Sequence, residues 1–525
     1  MRKNNIIGNI MLKFTLLLLY LSTAVSLSCN KEEDKPTVTP VFNRYQTDLT
    51  VDSKILGQTV KYAVYLPESY KTDTTKNYGV IYLLHGYGCD HNDWNDQYLN
   101  ISSLIDEKEN SGEIAEYIYV MPQGFNSYYV NKYDGTFNYM DMFADEFVPF
   151  IDKKYRTKND RKFRAVVGFS MGGYGAMIIP SKHPELFSIS VPLSMSFRTD
   201  EQYIAEPSDG WDQQWGAIFG GYGKKGEDRL TDYYKEHCPF YFINENTAGE
   251  FRDIDFYIDC GDDEEQLLIG NDQLHRQLRN LGIGHEYRVR NGAHTSAYWR
   301  GAMQEVLPFI DSRFKSKDYT NDESIEITDN YPGDFERAQI GDVPVLIFKS
   351  KGYQQTDSCT AIYFIHDGFS EAEIFTAMNL LNVQNMNSKF VVVSVDYANV
   401  KANFKTFSEA IKSTFLTVKN IGIGINSGGK ILFESSVSYQ PPFSSLFLFD
   451  ADLGDSVQNP APGTYYYIDI TDMGDNYQDA GTLYLQCKRN DIGFDYRVRN
   501  GINNTESVLI GISQAKSKIL ERTIN

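Results

Sequence analysis

The stretch that decides the fold of this 525-residue chain is Ala165-Val166-Val167-Gly168-Phe169-Ser170-Met171-Gly172-Gly173-Tyr174-Gly175. Its first five residues form an apolar, strand-like run, and the small residues after Ser170 are typical of a tightly packed helix start. A Gly-x-Ser-x-Gly turn between a strand and a helix lifts the serine hydroxyl out of the sheet and leaves the next backbone N–H free. The stretch therefore predicts Ser170 as a nucleophile and the Met171 amide as an oxyanion donor.

Strand and helix patterns alternate on both sides of this turn. Continuous apolar runs at 80–84 and 117–121 are typical of strands that are buried on both faces. Residues 141–154 have helical spacing, and further strands are expected at 254–260 and 285–289. This alternation predicts an α/β fold with a doubly wound, mostly parallel sheet.

The second half of the sequence repeats the first. Residues 361–368 echo 80–86, and Ile421 to Gly429 echo the turn around Ser170. The hexapeptide Tyr287 to Gly292 returns letter for letter as Tyr496 to Gly501. Because the blocks follow in the same order, we interpret the chain as an internal duplication. Its domains are predicted at 43–318 and 319–525.

The second copy lacks the reactive residues. Asn426 stands where the first copy has Ser170, and Asn503 stands where it has His294. An amide is neither a nucleophile nor a base, and losing one such group costs roughly 10⁴- to 10⁶-fold in turnover. The copy is also shorter, because it lacks the counterpart of about 190–250, which we expect to cap the first site. The second domain is therefore predicted to be a degenerate, inactive repeat.

A base and an acid are expected to follow the last two strands of the first domain. His294 lies in a loop from which its imidazole could take the Ser170 proton. The acid that orients this histidine should follow the strand ending at Cys260, so the candidates are Asp262, Asp263, Glu264 and Glu265. Among them Asp263 is favoured, and Glu264 comes next. The order nucleophile, acid, base is the order of this type of fold.

The loop His85-Gly86-Tyr87-Gly88 follows a buried strand and predicts a second oxyanion donor, the Tyr87 amide. We expect His85 to be structural, because the degenerate copy keeps it as His366. Trp211, Trp215 and Tyr298 are candidates either for acyl or sugar contacts or for core packing.

The first 42 residues predict export. Arg2 and Lys3 precede the apolar run Phe14 to Leu21, so residues 1–28 are interpreted as a signal peptide. Cys29 then resembles the lipidated cysteine of a bacterial lipoprotein, and 29–42 would form a tether. These features predict an outer-membrane or cell-surface lipoprotein.

The charge and the cysteine content limit the kinds of partner and cofactor that are expected. The net charge is −20, from 70 acidic and 50 basic residues, which argues against nucleic acid and against anionic lipid. Membrane contact is therefore expected only through the lipid anchor. The six cysteines are widely scattered, with neither a disulfide framework nor zinc spacing, so we expect buried free thiols and neither metal nor cofactor.

The first domain resembles carbohydrate esterase family 1 and the wider esterase D group. The resemblance covers about residues 45–315 and is carried, in order, by His85-Gly86, Met121-Pro122, Asn126-Ser127-Tyr128-Tyr129, Gly168 to Gly173, Cys260-Gly261 and Gly292-Ala293-His294. It implies an α/β-hydrolase fold and a serine esterase that removes feruloyl or acetyl groups from carbohydrate. It also implies an acid four residues after Cys260, which is Glu264.

Two other functions fit the same residues. An acyltransferase of this fold would use the same nucleophile and base and differ only in its acceptor. A surface glycan-binding lipoprotein would use the second domain as the binder and the first as a scaffold, although the complete set of reactive residues in the first domain argues against it.

Overall fold

The computed structural model describes residues 43–524 except 96–97, 265, 321–322, 387, 439–442, 455–456 and 458. The predicted signal peptide, lipidated Cys29 and tether lie outside the described residues. No helix in the described ranges is long and apolar enough to cross a membrane.

The described chain is built around one sheet of 16 strands. In chain order the strands are β1 (Tyr45–Ser53), β2 (Gln58–Tyr65), β3 (Val80–Leu84), β4 (Ile118–Pro122), β5 (Arg164–Phe169), β6 (Ile189–Leu193), β7 (Asp255–Gly261), β8 (His285–Arg290), β9 (Asp334–Ile340), β10 (Val343–Lys349), β11 (Ser358–His366), β12 (Phe390–Asp396), β13 (Leu416–Ile425), β14 (Ser445–Phe449), β15 (Tyr465–Thr471) and β16 (Phe494–Arg499).

The sheet consists of two halves with the same internal order. Strands β1 to β8, the N-terminal half, lie in the order β1-β2-β4-β3-β5-β6-β7-β8. Strands β9 to β16, the C-terminal half, lie in the order β9-β10-β12-β11-β13-β14-β15-β16. In each half the first two pairings are antiparallel and the rest are parallel. The halves meet where β8 pairs antiparallel with β16, at Val289 and Val498, a junction called the seam below.

Helices cover both faces of the sheet. They are α1 (Ile101–Ser111), α2 (Tyr139–Asp141), α3 (Val148–Lys154), α4 (Met171–Lys182), α5 (Asp200–Ala205), α6 (Ser208–Trp211), α7 (Ala217–Phe219), α8 (Asp232–His237), α9 (Pro239–Phe242), α10 (Leu267–Asn280), α11 (Ser296–Phe314), α12 (Glu371–Leu381), α13 (Tyr397–Val400), α14 (Phe404–Thr414), α15 (Ser427–Ser438), α16 (Tyr477–Arg489) and α17 (Thr505–Ile524). Each half has its own hydrophobic core, one around Trp94, Phe169 and Trp299 and the other around Phe348, Phe375 and Phe447.

The predicted α/β fold with a mostly parallel sheet is confirmed. The apolar run 80–84 is β3, and the helix expected at 141–154 is a helical stretch that begins at Tyr139 and contains a π-helical segment, Met142–Phe147. Five short helices, α5 to α9, fill the segment between β6 and β7 that was expected to form a cap. The chain forms one compact unit from Arg44 onward, and the domain boundary at 318/319 and the duplication stay predictions.

Candidate active site

Ser170 lies at a sharp turn between β5 and α4. Its backbone has φ 58° and ψ −119°, a strained conformation that residues other than glycine rarely adopt. Backbone strain of this kind is often found at functional sites. The Ser170 amide donates to the Leu193 carbonyl at 3.0 Å, and the Ser170 carbonyl accepts from the Ser196 amide at 2.9 Å. These bonds hold the turn against the end of β6. A Cβ at Gly172 would overlap the Leu84 carbonyl oxygen, so only glycine allows the first turn of α4 to approach β3 this closely.

His294 contacts the carboxylate of Glu264. Its Nδ1 lies 2.6 Å from Oε2 of Glu264, which is the length of a charge-assisted hydrogen bond. The Glu264 side chain is only 1% exposed, whereas that of His294 is 39% exposed. The carboxylate therefore contacts the imidazole from its buried side, and the other side of the imidazole is exposed to solvent. Glu264 follows β7 and His294 follows β8, two strands and three strands away from the end of β5.

The other oxygen of Glu264 is held by two donors. Oε1 accepts from the Gly261 amide at 3.0 Å and from the hydroxyl of Ser194. Ser194 in turn accepts from Nε1 of Trp299 at 2.8 Å, and the Trp299 ring stands edge-on to the His294 ring with centroids 4.8 Å apart. Sequence reasoning missed Ser194 and Trp299, because neither belongs to a recognisable motif.

The preference for Asp263 as the acid is corrected by this geometry. The Asp263 side chain is exposed, and its backbone amide donates to the Gly292 carbonyl at 3.0 Å. Asp262 points the other way, toward Arg497 in the C-terminal half. Glu264, the alternative that the family resemblance implied, is the residue that meets His294. Glu265 lies outside the described residues.

The loop after β3 is arranged to present a backbone N–H. Nε2 of His85 lies 2.8 Å from the Gly124 amide nitrogen and 2.7 Å from Oε1 of Gln123, and Nδ1 of the same ring is hydrogen-bonded to the Gly86 carbonyl at 2.8 Å. In a trans peptide the N–H points opposite to the carbonyl, so this bond fixes the direction of the Tyr87 amide. A Cβ at Gly86 would lie 3.4 Å from that of Ser170, which shows how closely the loop passes this serine.

These contacts agree with the predicted structural role of His85. The ring is fully buried, and burial lowers its pKa, which keeps it neutral. Within the described part of the chain, neither the Tyr87 amide nor the Met171 amide donates to a protein acceptor. Both amides are thus available to an oxyanion beside Ser170.

The three aromatic candidates lie in the core, and other aromatic rings are exposed near the site. Trp211, Trp215 and Tyr298 are all buried, and Tyr298 donates to Asp259 at 2.6 Å, so these three belong to the packing. The exposed aromatic rings near the site are Tyr87, at 37% exposure, and Tyr98, at 40%. Tyr98 was not singled out from the sequence. Its ring lies 6.0 Å from that of Phe169, the residue before Ser170.

The C-terminal half has the same kind of turn, with an asparagine in place of the serine. Asn426 also has a positive φ, 51°, and its amide donates to the Phe449 carbonyl at 3.1 Å, as Ser170 does to Leu193. The side-chain amide of Asn503 donates through Nδ2 to Oδ1 of the Asn426 side chain at 2.8 Å. The two residues predicted to replace the nucleophile and the base therefore meet each other.

The described cysteines are all free thiols, and all but the partly exposed Cys89 are buried, as predicted. Within the described ranges no group of three or more His, Cys, Asp or Glu side chains is arranged to hold a metal ion.

Comparison with known proteins places the N-terminal half in a family. A family model described as "Putative esterase" matches residues 53–310. An esterase of Mycobacterium tuberculosis is 28% identical over 249 residues, which cover 44% of this chain and 51% of that protein. An endo-1,4-beta-xylanase/feruloyl esterase of Xylanibacter ruminicola is 32% identical over 265 residues, which cover 49% of this chain and 30% of that protein. The chain thus spans about half the length of the first relative and less of the second.

Among solved structures, a ferulic acid esterase is 30% identical, with a TM-score of 0.44, and the match covers 51% of this chain and 98% of that one. The family match covers Ser170, Glu264 and His294 and the turns that hold them. Residues 53–310 of this chain belong to the esterase family.

Proposed function

We propose that the N-terminal half is a serine carboxylester hydrolase with Ser170 as nucleophile, His294 as base and Glu264 as the acid that orients the base. The observation that carries this proposal is the 2.6 Å contact between His294 and the buried Glu264, on the loops after β8 and β7 of the same sheet whose strand β5 ends at the strained Ser170 turn. Esterase family membership of the same residues supports it.

Acylation would follow from this arrangement. Oγ of Ser170 forms a bond to the ester carbonyl carbon while Nε2 of His294 takes the hydroxyl proton. The carbonyl oxygen becomes an oxyanion that accepts from the Met171 and Tyr87 amides. The carbon–oxygen bond to the alcohol then breaks, and His294 returns the proton to the departing alcohol oxygen. Glu264 keeps the imidazolium oriented and balances its charge throughout.

Deacylation reverses the roles. A water molecule gives one proton to His294 and bonds to the acyl carbon, and the same two amides hold the second oxyanion. The bond to Oγ of Ser170 breaks, Ser170 regains the proton, and a carboxylic acid leaves. No redox partner or metal enters this sequence.

We further propose that the substrate is a feruloyl or acetyl ester of a polysaccharide or oligosaccharide. The name of the Xylanibacter ruminicola relative, a xylanase/feruloyl esterase, supports an acylated plant polysaccharide. Tyr87 and Tyr98 also support it, because exposed rings beside Ser170 suit an aryl acyl group or the face of a sugar.

The proposed setting is the cell surface, with the chain anchored in the outer membrane through lipid on Cys29. The apolar run and the cysteine within residues 1–42 support this setting. Incorporation of labelled palmitate that is lost in Cys29→Ser would test it. Acylated carbohydrate is then the expected partner, and nucleic acid is not.

Replacement of the nucleophile tests the chemistry. Ser170→Ala should lower kcat on acetyl and feruloyl esters by roughly 10⁴- to 10⁶-fold. Ser427→Ala changes a serine in the corresponding turn of the C-terminal half and should leave kcat unchanged. Release of free acid in water, measured with and without an added sugar acceptor, separates hydrolysis from acyl transfer. Ester cleavage that survives in Ser170→Ala would overturn the proposal.

A further inference from the structure

Two equivalent ion pairs cross the seam. Asp262, from the turn after β7, contacts Arg497 on β16, and Asp472, from the turn after β15, contacts Arg288 on β8 at 2.7 Å. The backbone contacts are reciprocal too. Asp262 accepts from the Gly292 amide at 3.1 Å, and Asp472 accepts from the Gly501 amide at 2.9 Å.

Only one of these two pairs lies beside reactive groups. Asp262 is two residues before Glu264, and Gly292 is two residues before His294. The hydrogen bond between Asp262 and Gly292 therefore joins the turn that carries the acid to the loop that carries the base. In the C-terminal half the corresponding positions hold Gly474 and Asn503.

Arg497 binds both parts of this junction. Its Nη1 contacts Asp262, and its Nη2 donates to Oδ1 of Asn291 at 3.1 Å. The side chains of Asp262 and Arg497 are 2% and 12% exposed, so water screens the contact little. Burial raises the pKa of Asp262, and the charge of Arg497 opposes that rise.

We propose that Arg497 is a positioning residue for the His294–Glu264 pair, and that the C-terminal half thereby forms a fixed part of the active site. This inference rests on the proposed esterase function. A guanidinium suits the task because its planar fork can hold a carboxylate and an amide oxygen at once, whereas an ammonium is a single point charge. The C-terminal half then has a role that does not require it to bind a ligand of its own.

Substitution of Arg497 in the full chain tests the inference. Arg497→Ala should lower kcat on 4-nitrophenyl acetate by roughly 10- to 100-fold, because a displacement of about 1 Å in a reacting group has this effect. KM should change by less than about twofold, since the substrate-binding surface is untouched. Arg497→Lys should restore part of the loss. Arg497 also lines an open cavity of about 770 Å³ at the seam, so added guanidinium should restore part of the kcat of Arg497→Ala.

Asp472→Asn is the matched control. It breaks the equivalent ion pair at the same seam, so it should lower the thermal midpoint but leave kcat unchanged. Asn291→Ala serves if Arg497→Ala does not fold, because Asn291 is exposed and its truncation removes only the contact to the base loop. A several-fold fall in its kcat is expected.

Two results would overturn the inference. One is a folded Arg497→Ala or Asn291→Ala protein with the kcat of the parent. The other is an Asp472→Asn protein that loses as much kcat as Arg497→Ala, since the effect would then come from general damage to the seam. Ser170→Ala keeps these results separate from the proposed function: an inactive Ser170→Ala beside a fully active Arg497→Ala rejects the positioning role alone.

Discussion

Glu264 lies in the middle of a line of polar contacts that begins in the core. Trp299 donates to Ser194, Ser194 donates to Glu264, and Glu264 contacts His294. Each contact satisfies a buried polar group, and together they fix the carboxylate before any substrate arrives. Under the proposed mechanism no group would have to move when positive charge develops on His294, so the stabilisation would be available without reorganisation.

Two single substitutions test whether Glu264 or Asp263 is the acid that orients His294. Glu264→Gln should lower kcat by roughly 10³- to 10⁴-fold, because an amide at this place can hold the histidine in the wrong tautomer. Asp263→Asn should keep kcat within about twofold, as expected for an exposed side chain. Steady-state kinetics on 4-nitrophenyl acetate measures both. A larger loss in Asp263→Asn would contradict the geometry described above.

Tyr98 provides a test of the acyl group. Tyr98→Ala should lower kcat/KM for a feruloyl ester by about 2- to 10-fold, which corresponds to the roughly 0.5–1.5 kcal/mol of an aromatic pair. The acetyl ester has no ring to place against Tyr98 and serves as the internal control. Equal losses on the two esters would show that Tyr98 does not contact the acyl group.

In both halves, a helix packs closely against a strand only because a glycine stands at the contact. The turn at Ser170 packs α4 against β3 through Gly172, and the turn at Asn426 packs α15 against β11 through Gly428 in the same way. The glycines are present in the half that lacks a nucleophile, so they serve the fold first. Both halves share this packing, and Ser170 and Asn426 mark where the two turns differ.

A glycine pair tests this packing requirement. Gly172→Ala should destabilise the protein by about 3 kcal/mol or more, because the new methyl group overlaps a backbone carbonyl that has no room to move. Gly301→Ala, on an open face of α11, should stabilise it by about 0.5–1 kcal/mol through the unfolded chain. Denaturant unfolding gives both values. Wild-type stability in Gly172→Ala would refute the overlap.

Periodicity predicted the central elements well and the outer ones poorly. Strands such as β3 are buried on both faces and carry an unbroken apolar signal, whereas β1 is largely exposed and carries little. Residue type and spacing could not choose the acid, because four consecutive acidic residues differ only in the direction that a tight turn gives each side chain, and only the family resemblance pointed to Glu264. Trp211 and Trp215 were equally ambiguous, since composition does not say which face of a helix is covered.

The seam makes the two halves depend on each other. Besides the two ion pairs, Tyr496 donates to Asp272 at 2.9 Å across it, and Arg279 donates to the carbonyl of Gly474 at 3.3 Å. None of these contacts could be inferred from either half alone, because each needs the geometry of both edge strands.

Calorimetry tests this dependence. Heating should unfold the described chain in one transition, with equal calorimetric and van't Hoff enthalpies, because buried charges on each half need partners on the other. Asp472→Asn should shift that whole transition to a lower temperature. Two separate transitions in the parent protein would show that the halves fold independently.

The pairing of β8 with β16 also bears on self-association. An unpaired edge strand is a template for aggregation, and two like edges that meet about a two-fold axis are the usual way for separate subunits to dimerise. Here both edges belong to one chain, so the contact is intramolecular and does not weaken on dilution. In the part of the chain that the structure describes, the sheet then ends at β1 and β9, whose exposed positions include Asp48, Asp334 and Glu336. Exposed acidic side chains at both remaining edges disfavour the edge-to-edge pairing of one molecule with the next.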